Sequence, residues 1–218
     1  MMLLLVMGAG GFGMEAIWVA EEMNRNLSDK NKFKILGYID DYPEKKGKIF
    51  YGYSVLGLPE QIAQELKGEI YFHCAIGDNK SRENVANRLA GFGWRPITLI
   101  HPSALMGREV SIGDGSYIGA GAVVAPRAKI GNHVLINCSA GIGHDSVLED
   151  FAQVCPGARV NGMCTVKKYA FIGSNASLHP GITVGADATV GANSQVIRSV
   201  KPNTTVIGVP AKIIGKIC

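Results

Sequence analysis

From residue 100 onward, a large aliphatic residue recurs at every sixth position of the chain. The frame runs without a break through seventeen hexads, from Ile100 to Lys201, and each hexad opens with Ile, Leu, Val or Met. The fifth position of a hexad is nearly always small, and the second is often Gly. One large and one small inward residue per six predicts a short strand and a tight turn, with Gly and Asn supplying unusual backbone angles at the turns.

Three such hexads make one triangular coil of about 18 residues, and coils stacked at ~4.8 Å give a prism about 27 Å long. A single coil cannot bury its apolar edge, so neighbouring coils must stack. A β-sandwich would instead show alternation interrupted by turns at roughly 8–12 residues. The pattern therefore predicts a parallel β-helix over residues 100–206, closed by a tail over residues 207–218.

The first 99 residues follow a different pattern, in which strand-like and helix-like segments alternate. The strand candidates are Leu3–Met7, Phe33–Ile39 and Ile70–Ile76, and the helix candidates are Glu15–Met23, Pro59–Leu66 and Asn79–Leu89, the last with a cap near Asp78 or Asn79. The order βαβαβα predicts a small α/β unit with a parallel sheet, which is half of a Rossmann fold.

A glycine-rich turn, Gly-Ala-Gly-Gly-Phe-Gly over residues 8–13, directly follows the first strand candidate and opens the first helix. This context suits a phosphate-binding turn, because a helix N-terminus offers free N–H groups and partial positive charge. We expect Gly10, Gly11, Phe12 and Gly13 to contact a nucleotide, with Asp40 near its ribose. NAD fits less well because only one mononucleotide half precedes residue 100. A tight turn without a ligand is the remaining alternative.

Composition and charge narrow the class of protein. Apolar residues make up 47% and charged residues 18%, as in ordinary globular chains, and the 28 glycines fit many tight turns. The net charge of +4, with no run of five basic residues, does not predict nucleic-acid binding. The apolar opening is too short to span a bilayer. Five cysteines without a C-x-x-C pair predict reduced thiols in the cytoplasm rather than disulfides or structural zinc.

The two halves together resemble the bacterial hexapeptide-repeat sugar acetyltransferases, a family with sialic acid O-acetyltransferases and nucleotide-aminosugar N-acetyltransferases among its members. The similarity covers essentially the whole chain and rests on the opening glycine turn, Tyr38–Asp41, Ala75–Arg82, Ile100–Ala104, Asn137, Gly143–Asp145 and Ile207–Lys212. The resemblance implies a left-handed coil, acetyl-CoA as co-substrate without a metal, and a homotrimer with active sites between subunits.

The resemblance also implies roles for single residues. His144 is the candidate general base, oriented by Asp145 or by another carboxylate such as Glu149, and the N–H of Gly162 is the candidate oxyanion donor. Acceptor or nucleotide contacts are expected at Asp40, Asp41, Asn79, Lys80, Arg82 and Asn137, and CoA contacts at Gly162, Gly173, Ser174, Pro210 and Lys212.

The expected reaction is N-acetylation of a nucleotide-linked aminosugar, by direct attack of the amine on the thioester. O-acetylation of a sialic acid or similar sugar hydroxyl is the alternative. Phe12 stands where many family members have a histidine near the acceptor, so the acceptor is left open.

Three further interpretations are weaker. A zinc carbonic anhydrase on the same helix type would need three His ligands, and His144 has no histidine five residues away in either direction. Cys138 as an acyl-enzyme nucleophile lacks an indicated base. A non-catalytic nucleotide-binding or assembly module would show no turnover of acetyl-CoA.

Overall fold

The computed structural model describes residues 2–215, which divide into two units, one ending at Pro102 and the other beginning at Ser103. The division falls three residues after the boundary expected between residues 99 and 100. The last part of the expected tail, including the fifth cysteine at Cys218, lies outside the described residues.

The first unit is an α/β sheet with helices. The strands of the sheet are β1 Met2–Met7, β2 Phe33–Ile39, β3 Ile49–Phe50, β4 Tyr53–Gly57, β5 Ile70–Cys74 and β6 Arg95–Pro96, and a further strand, β7 Leu99–Ile100, lies outside this sheet. The α-helices of the unit are α1 Gly11–Asn26, α2 Pro59–Glu65 and α3 Asn79–Gly91, and single 3-10 turns lie at Asp29–Asn31 and Pro43–Lys45. The sheet order is β3-β4-β2-β1-β5-β6, and every pairing in it except that of β3 with β4 is parallel.

The three predicted helices and three predicted strands of this unit are all present. Helix α1 is longer than predicted because it begins at Gly11, and it buries Ala16, Ile17 and Val19. Helix α3 is capped as expected, since the Asp78 carboxylate accepts from the N–H of Ser81 at 2.8 Å. The hairpin of β3 and β4 was not predicted, because β3 is two residues long and gives no alternating pattern.

The second unit is built almost entirely from two-residue strands. They are β8 Leu105–Met106, β9 Ser111–Ile112, β10 Tyr117–Ile118, β11 Val123–Val124, β12 Lys129–Ile130, β13 Leu135–Ile136, β14 Gly141–Ile142, β15 Val147–Leu148, β16 Gln153–Val154, β17 Arg159–Val160, β18 Thr165–Val166, β19 Phe171–Ile172, β20 Ser177–Leu178, β21 Thr183–Val184, β22 Thr189–Val190, β23 Gln195–Val196, β24 Thr205–Gly208 and β25 Ala211–Gly215. They form three sheets in which every third strand is a neighbour.

The register between neighbouring coils is constant at 18 residues. Val123 pairs with Gly141, and Gly141 pairs with Arg159, all in parallel. Residues 18 apart therefore stack in columns along the prism. This arrangement is the parallel β-helix that the hexads predict, and its left-handed sense is the one that the family resemblance implies. An antiparallel hairpin of β24 and β25 lies at its C-terminal end.

The first and fifth positions of the hexads form the core of the β-helix. Ile136, Leu178 and Val190 are fully buried first positions, and Ala140 and Ala158 are fully buried fifth positions. From Ile118 to Val196 every first position is buried, and from Ser116 to Val200 every fifth position is buried, whereas the first coil is more exposed, with Met106 at 37%. Burial of apolar surface at these positions explains their apolar or small side chains.

The turn angles confirm and extend one expectation. The left-handed backbone conformation falls at the fourth hexad position, which Gly121 and Asn175 occupy as expected, and which Glu109, Arg127 and Asp145 also occupy with φ near +60°. Glycine at the second position is required for a different reason. A Cβ on Gly143 would lie 2.3 Å from the backbone nitrogen of Gly162 in the next coil, so these glycines permit close stacking of the turns.

Candidate active site

A pair of adjacent side chains, His144 and Asp145, projects from the turn that follows β14. His144 occupies the third hexad position, and Asp145 occupies the fourth, with φ +59°. The His144 Nδ1 lies 2.7 Å from the Asp145 Oδ2, and the two side chains are 56% and 33% exposed. Asp145 is therefore the carboxylate that orients the imidazole. Glu149 instead accepts hydrogen bonds from Lys167 Nζ at 2.6 Å and from the N–H of Lys168.

Arg127 lies one coil before Asp145 and forms a bidentate hydrogen bond with its carboxylate. Its Nε donates to Oδ1 at 2.6 Å, and its Nη2 donates to Oδ2 at 2.8 Å. These hydrogen bonds, and then the one with His144, lower the pKa of Asp145 to about 2. An ionised carboxylate only accepts, so His144 Nδ1 carries the proton of this hydrogen bond. In the neutral imidazole, Nε2 is then the basic nitrogen.

His144 borders a groove of about 490 Å³ on the face formed by β11, β14 and β17. One coil further along, Gly162 lies directly under the imidazole, where an added Cβ would lie 2.6 Å from the His144 Nε2. The N–H of Gly162 donates to no protein acceptor within residues 2–215. The groove thus brings together a candidate base, a glycine that leaves room for the ring, and a free backbone donor.

Three side chains at this site were not predicted from the sequence: Arg127, Arg159 and Asn161. Arg159 lines the groove and donates to the carbonyl oxygen of Ser139. Asn161 also lines it and donates to the carbonyl oxygen of Leu178 at 2.7 Å. The signal that finds Arg127 is the 18-residue coil, because residue 127 stacks on residue 145. The six-residue period alone does not show that residues 127 and 145 stack on each other.

The other residues expected on the β-helix lie elsewhere. Asn137 and Gly173 share a column at the turn after a different sheet, where the Asn137 side chain donates to the carbonyl oxygen of Val154 at 3.1 Å. Ser174 follows Gly173 at that turn. Pro210 and Lys212 are exposed in the C-terminal hairpin. Within one chain, Gly162 is thus the one expected CoA contact that lines the His144 groove.

A second groove of about 390 Å³ lies along β12 and β15. It is lined by Lys129, Glu149, Asp150 and Lys168 among others, and none of its lining residues is a histidine. Its charges have both signs, and its carboxylates Glu149 and Asp150 have no imidazole beside them in the lining.

The α/β unit has its own pocket, of about 240 Å³, where β1, β2 and β5 end. The opening turn lines one side, and Gly8 has φ +102° there. The N–H groups of Gly10 and Gly11 donate to no protein acceptor within residues 2–215. Gly13 permits the helix to approach the strand, since an added Cβ would lie 1.9 Å from the carbonyl oxygen of Gly8.

Asp40 lies at the end of β2, but its carboxylate is used inside the unit. It accepts from the N–H of Ala9 at 2.7 Å, from Lys45 Nζ at 2.8 Å and from the N–H of Tyr42 at 3.0 Å. Burial by itself raises the pKa of Asp40, but the hydrogen bonds from Lys45, Ala9 and Tyr42 outweigh it and the pKa is lowered. Asp40 thus holds the shape of the pocket.

The remaining expected nucleotide contacts separate into buried and exposed groups. Arg82 is fully buried and donates to the carbonyl oxygens of Ile76 and Gly77 and to the Asn79 Oδ1. Arg82 and Asn79 therefore brace the loop after β5 from inside. Asp41 lines the pocket and accepts from Arg88, and Lys80 is exposed outside the pocket lining. Phe12 is half-buried and packs edge-on against His73, with ring centroids 6.2 Å apart.

Three general findings concern the described part of the chain. None of its helices has the length and apolar character required to cross a membrane. Within residues 2–215, no group of three His, Cys, Asp or Glu side chains is placed to hold a metal ion. Its four cysteines are free thiols, and only Cys138 among them is exposed.

Two family models match the two units separately. The PglD N-terminal domain matches residues 3–89, and the hexapeptide repeat of succinyl-transferase matches residues 109–126 and 168–198. The first match lies within the α/β unit and the second within the β-helix. A coiled hexapeptide helix with an exposed histidine beside a groove defines the class of hexapeptide-repeat acyltransferases.

Relatives extend this likeness to the full length. The GDP-perosamine N-acetyltransferase of Escherichia coli O157:H7 is 30% identical over 213 residues, which are 95% of this chain and 94% of that protein. The acetyltransferase domain of PglB from Neisseria gonorrhoeae, solved with acetyl coenzyme A, has a TM-score of 0.88 at 28% identity and covers 97% of this chain and 98% of that one.

A third similar structure is a histidine-to-asparagine variant of perosamine N-acetyltransferase from Caulobacter crescentus, in complex with CoA and GDP-perosamine. Its TM-score is 0.86 at 29% identity, covering 97% of this chain and 96% of that one. The chain belongs to the family of bacterial hexapeptide-repeat sugar acetyltransferases. The family resemblance, the fold class and the acetyl-CoA-dependent acetyltransferase class expected from the sequence are therefore confirmed.

Proposed function

We propose that this enzyme transfers the acetyl group of acetyl-CoA to the amine of a nucleotide-linked aminosugar, with His144 as general base. The observation that carries the proposal is the arrangement of the imidazole. Its Nδ1 is held by Asp145 at 2.7 Å, and its Nε2 is directed over Gly162 in the open groove. The relatives that bind CoA and GDP-perosamine support N-acetylation over O-acetylation of a sialic acid.

The proposed reaction needs only groups of this chain and its two substrates. The acceptor amine attacks the thioester carbonyl carbon, and His144 Nε2 takes a proton from the amine nitrogen. The carbonyl oxygen gains negative charge, for which the free N–H of Gly162 is the proposed donor. The tetrahedral intermediate collapses, the C–S bond breaks, and the imidazolium returns its proton to the CoA sulfur. The products are an N-acetyl sugar and CoA thiol.

The nucleotide of the acceptor is proposed to bind in the pocket of the α/β unit. The free N–H groups at Gly10 and Gly11 begin helix α1 and suit a diphosphate. Phe12, Gly13 and Asp41 belong to the same end of the sheet. NAD is disfavoured, because the Asp40 carboxylate already accepts three hydrogen bonds within the unit.

A homotrimer with active sites between subunits is proposed for the assembly, in the cytoplasm. Its support is the scatter of the expected CoA contacts. In one chain Gly162 lies at the His144 groove, whereas Gly173 and Ser174 lie at another turn and Lys212 in the terminal hairpin. A second copy supplying those contacts would complete a CoA site, and threefold closure would end the assembly. Light scattering of the purified protein measures the subunit number.

The decisive experiment is a thiol-release assay with acetyl-CoA, run against GDP-, UDP- and dTDP-linked aminosugars and free sialic acids. We expect turnover with an aminosugar nucleotide, and a loss of about 10²–10⁴-fold in kcat for His144→Ala. The folding stability of that variant should stay near wild type, because the His144 side chain is largely exposed.

Cys138→Ser is the matched control. Cys138 is exposed at a different turn, so its loss should leave kcat within about twofold unless an acyl-enzyme forms. Equal turnover by wild type and His144→Ala would refute the role of the base. Release of thiol only with free hydroxy sugars would favour O-acetylation instead.

A further inference from the structure

The fourth hexad positions of three successive coils carry alternating charges: Glu109, Arg127 and Asp145. All three have left-handed backbone angles, so their side chains leave the prism at the same corner. Arg127 is the middle member, and its side chain is 58% exposed. Arg127 is not among the residues that line the groove beside His144.

We propose that Arg127 is a positioning residue for the base, acting on His144 through Asp145; the proposal rests on the proposed function of His144. Three side chains from two successive coils are joined by hydrogen bonds, in the order Arg127, Asp145 and His144. Its two ends are the guanidinium in the earlier coil and the imidazole at the groove. The reacting atoms are reached only by His144.

The first part of the argument is geometric. The Asp145 Oδ2 accepts from both Arg127 Nη2 at 2.8 Å and His144 Nδ1 at 2.7 Å, and Oδ1 accepts from Arg127 Nε at 2.6 Å. A two-point contact with a planar guanidinium fixes the plane of the carboxylate. Within residues 2–215, the Asp145 carboxylate is the only hydrogen-bond partner of the exposed His144 ring. The plane of the carboxylate therefore sets the direction of the ring.

The second part is electrostatic. Arg127 offsets much of the negative charge that Asp145 presents to the imidazole. The other charged groups nearby are Arg159, which lines the groove, and Glu109, which acts on Arg127 from the preceding coil. Without Arg127, the carboxylate would favour the protonated imidazole more strongly. A smaller fraction of His144 would then be in the basic form at neutral pH.

The two parts can be separated with two variants. Arg127→Gln removes both the charge and the two-point contact, and Arg127→Lys keeps the charge but holds the carboxylate at a single point. We expect kcat to fall about tenfold for Arg127→Gln and severalfold for Arg127→Lys, with KM for both substrates changing less than about threefold. The acidic limb of the kcat/KM profile should move to higher pH in Arg127→Gln and return towards wild type in Arg127→Lys.

The matched control is Arg95→Gln in the α/β unit. Arg95 is also an exposed arginine paired with a carboxylate, that of Glu69, and both partners are more than half exposed. Its loss should change neither kcat nor the pH profile. If Arg127→Gln keeps the wild-type kcat and acidic limb, or if its loss of activity is matched by a loss of folding stability, the proposal is wrong.

A readout independent of turnover separates this proposal from the proposed function. Diethyl pyrocarbonate modifies histidine in its neutral and not in its protonated form, and peptide mass spectrometry follows the modification of His144 as a function of pH. Arg127→Gln should shift the midpoint of that modification to higher pH, whereas Arg95→Gln should not. An unshifted midpoint overturns the proposed link between Arg127 and His144. Undiminished turnover by His144→Ala would instead overturn the role of the base, and the modification experiment would still decide whether Arg127 controls the ring.

Discussion

The α/β unit and the β-helix use their polar side chains in opposite ways. In the α/β unit, Asp40 and Arg82 are buried and form hydrogen bonds with the loops that line a pocket. In the β-helix, His144, Asp145 and Arg127 stand at a corner, partly or largely exposed, and bond to one another. The first unit offers a ligand mainly backbone N–H groups, and the second offers side chains.

This difference follows from how each unit is stabilised. The β-helix core needs only the first and fifth positions of each hexad, so the corner positions are free to carry chemistry. In the α/β unit the strand ends must be joined by loops, and buried polar groups of those loops must find partners. Polar residues near a strand end in such a unit therefore have structural roles more often than their position alone indicates.

The largest effect is expected from the β-helix core. Leu178 is fully buried at a first hexad position, so Leu178→Ala should lower the free energy of unfolding by about 2–5 kcal/mol. Leu105, which is 67% exposed on a strand of the same sheet, is the control and should change it by less than about 0.5 kcal/mol when replaced by alanine. Urea denaturation measures both. Equal effects would mean that the hexad frame does not define the core.

The next effect tests the glycine turn of the α/β unit. Gly13→Ala places a Cβ 1.9 Å from a backbone oxygen, and such overpacking should cost about 1–3 kcal/mol. Gly11→Ala is matched to it, because its Cβ would meet nothing within 4 Å. Urea denaturation of the full chain compares the stability of the two variants. Limited proteolysis of the full chain shows whether new cleavage sites arise within the first 102 residues. A stable Gly13→Ala protein would show that helix α1 does not need this close approach.

A substitution at Gly162 is expected to lower stability less than Gly13→Ala does and to act mainly on activity. A Cβ there meets the His144 Nε2 at 2.6 Å, and a side chain can turn away where a backbone cannot. Gly162→Ala should therefore lower kcat about tenfold, or about 1.4 kcal/mol on the barrier. The free energy of unfolding should change by less than about 1 kcal/mol.

Gly143→Ala supplies the contrast, since its Cβ meets the backbone of Gly162 at 2.3 Å and should destabilise the stacked coils. Steady-state kinetics and urea denaturation of both variants distinguish the two roles. If Gly162→Ala kept full activity, the groove over Gly162 would not be the place of reaction.

The smallest effect concerns pH. The pKa of Asp145 is lowered to about 2, below the value of about 3.9 for an unfolded chain. A depressed folded-state pKa contributes stability that is present above pH 4 and is lost as the pH falls towards 2. Wild type should therefore exceed Asp145→Asn in denaturation midpoint at pH 7, and the difference should shrink as the pH approaches 2. A difference that stays constant over this pH range would contradict the stabilising contacts of the ionised Asp145 carboxylate with Arg127 and His144.

The loss of activity at acidic pH should not arise from protonation of Asp145. Because Asp145 stays ionised well below pH 5, a loss of kcat/KM between pH 8 and pH 5 should report protonation of the base and not of its partner. A rate profile measured with wild type and Arg127→Gln locates that limb.

Much of this architecture could be predicted from local pattern. The hexads place Ile136 and Leu178 in the core because a period of six is repeated without interruption, and the glycine turn after β1 is recognisable from its flanking strand and helix. The hairpin of β3 and β4 was missed because strands of two to five residues carry little periodic signal. Arg127 was missed because its partner is 18 residues away, and a pairing at that distance exists only once the coil is closed.

The sequence by itself determined the repeat, the two units, and the adjacency of a histidine and a carboxylate in the chain. These features are local: burial of apolar side chains acts on a period of six, and His144 and Asp145 are neighbours in the chain. Only the tertiary structure decided which polar residues are free to act. Stacking at a constant register brought Arg127 onto Asp145 and Gly162 under the imidazole, and the packing of strand ends enclosed Asp40 and Arg82. Register and burial are properties of the closed fold, because they depend on contacts between residues far apart in the chain.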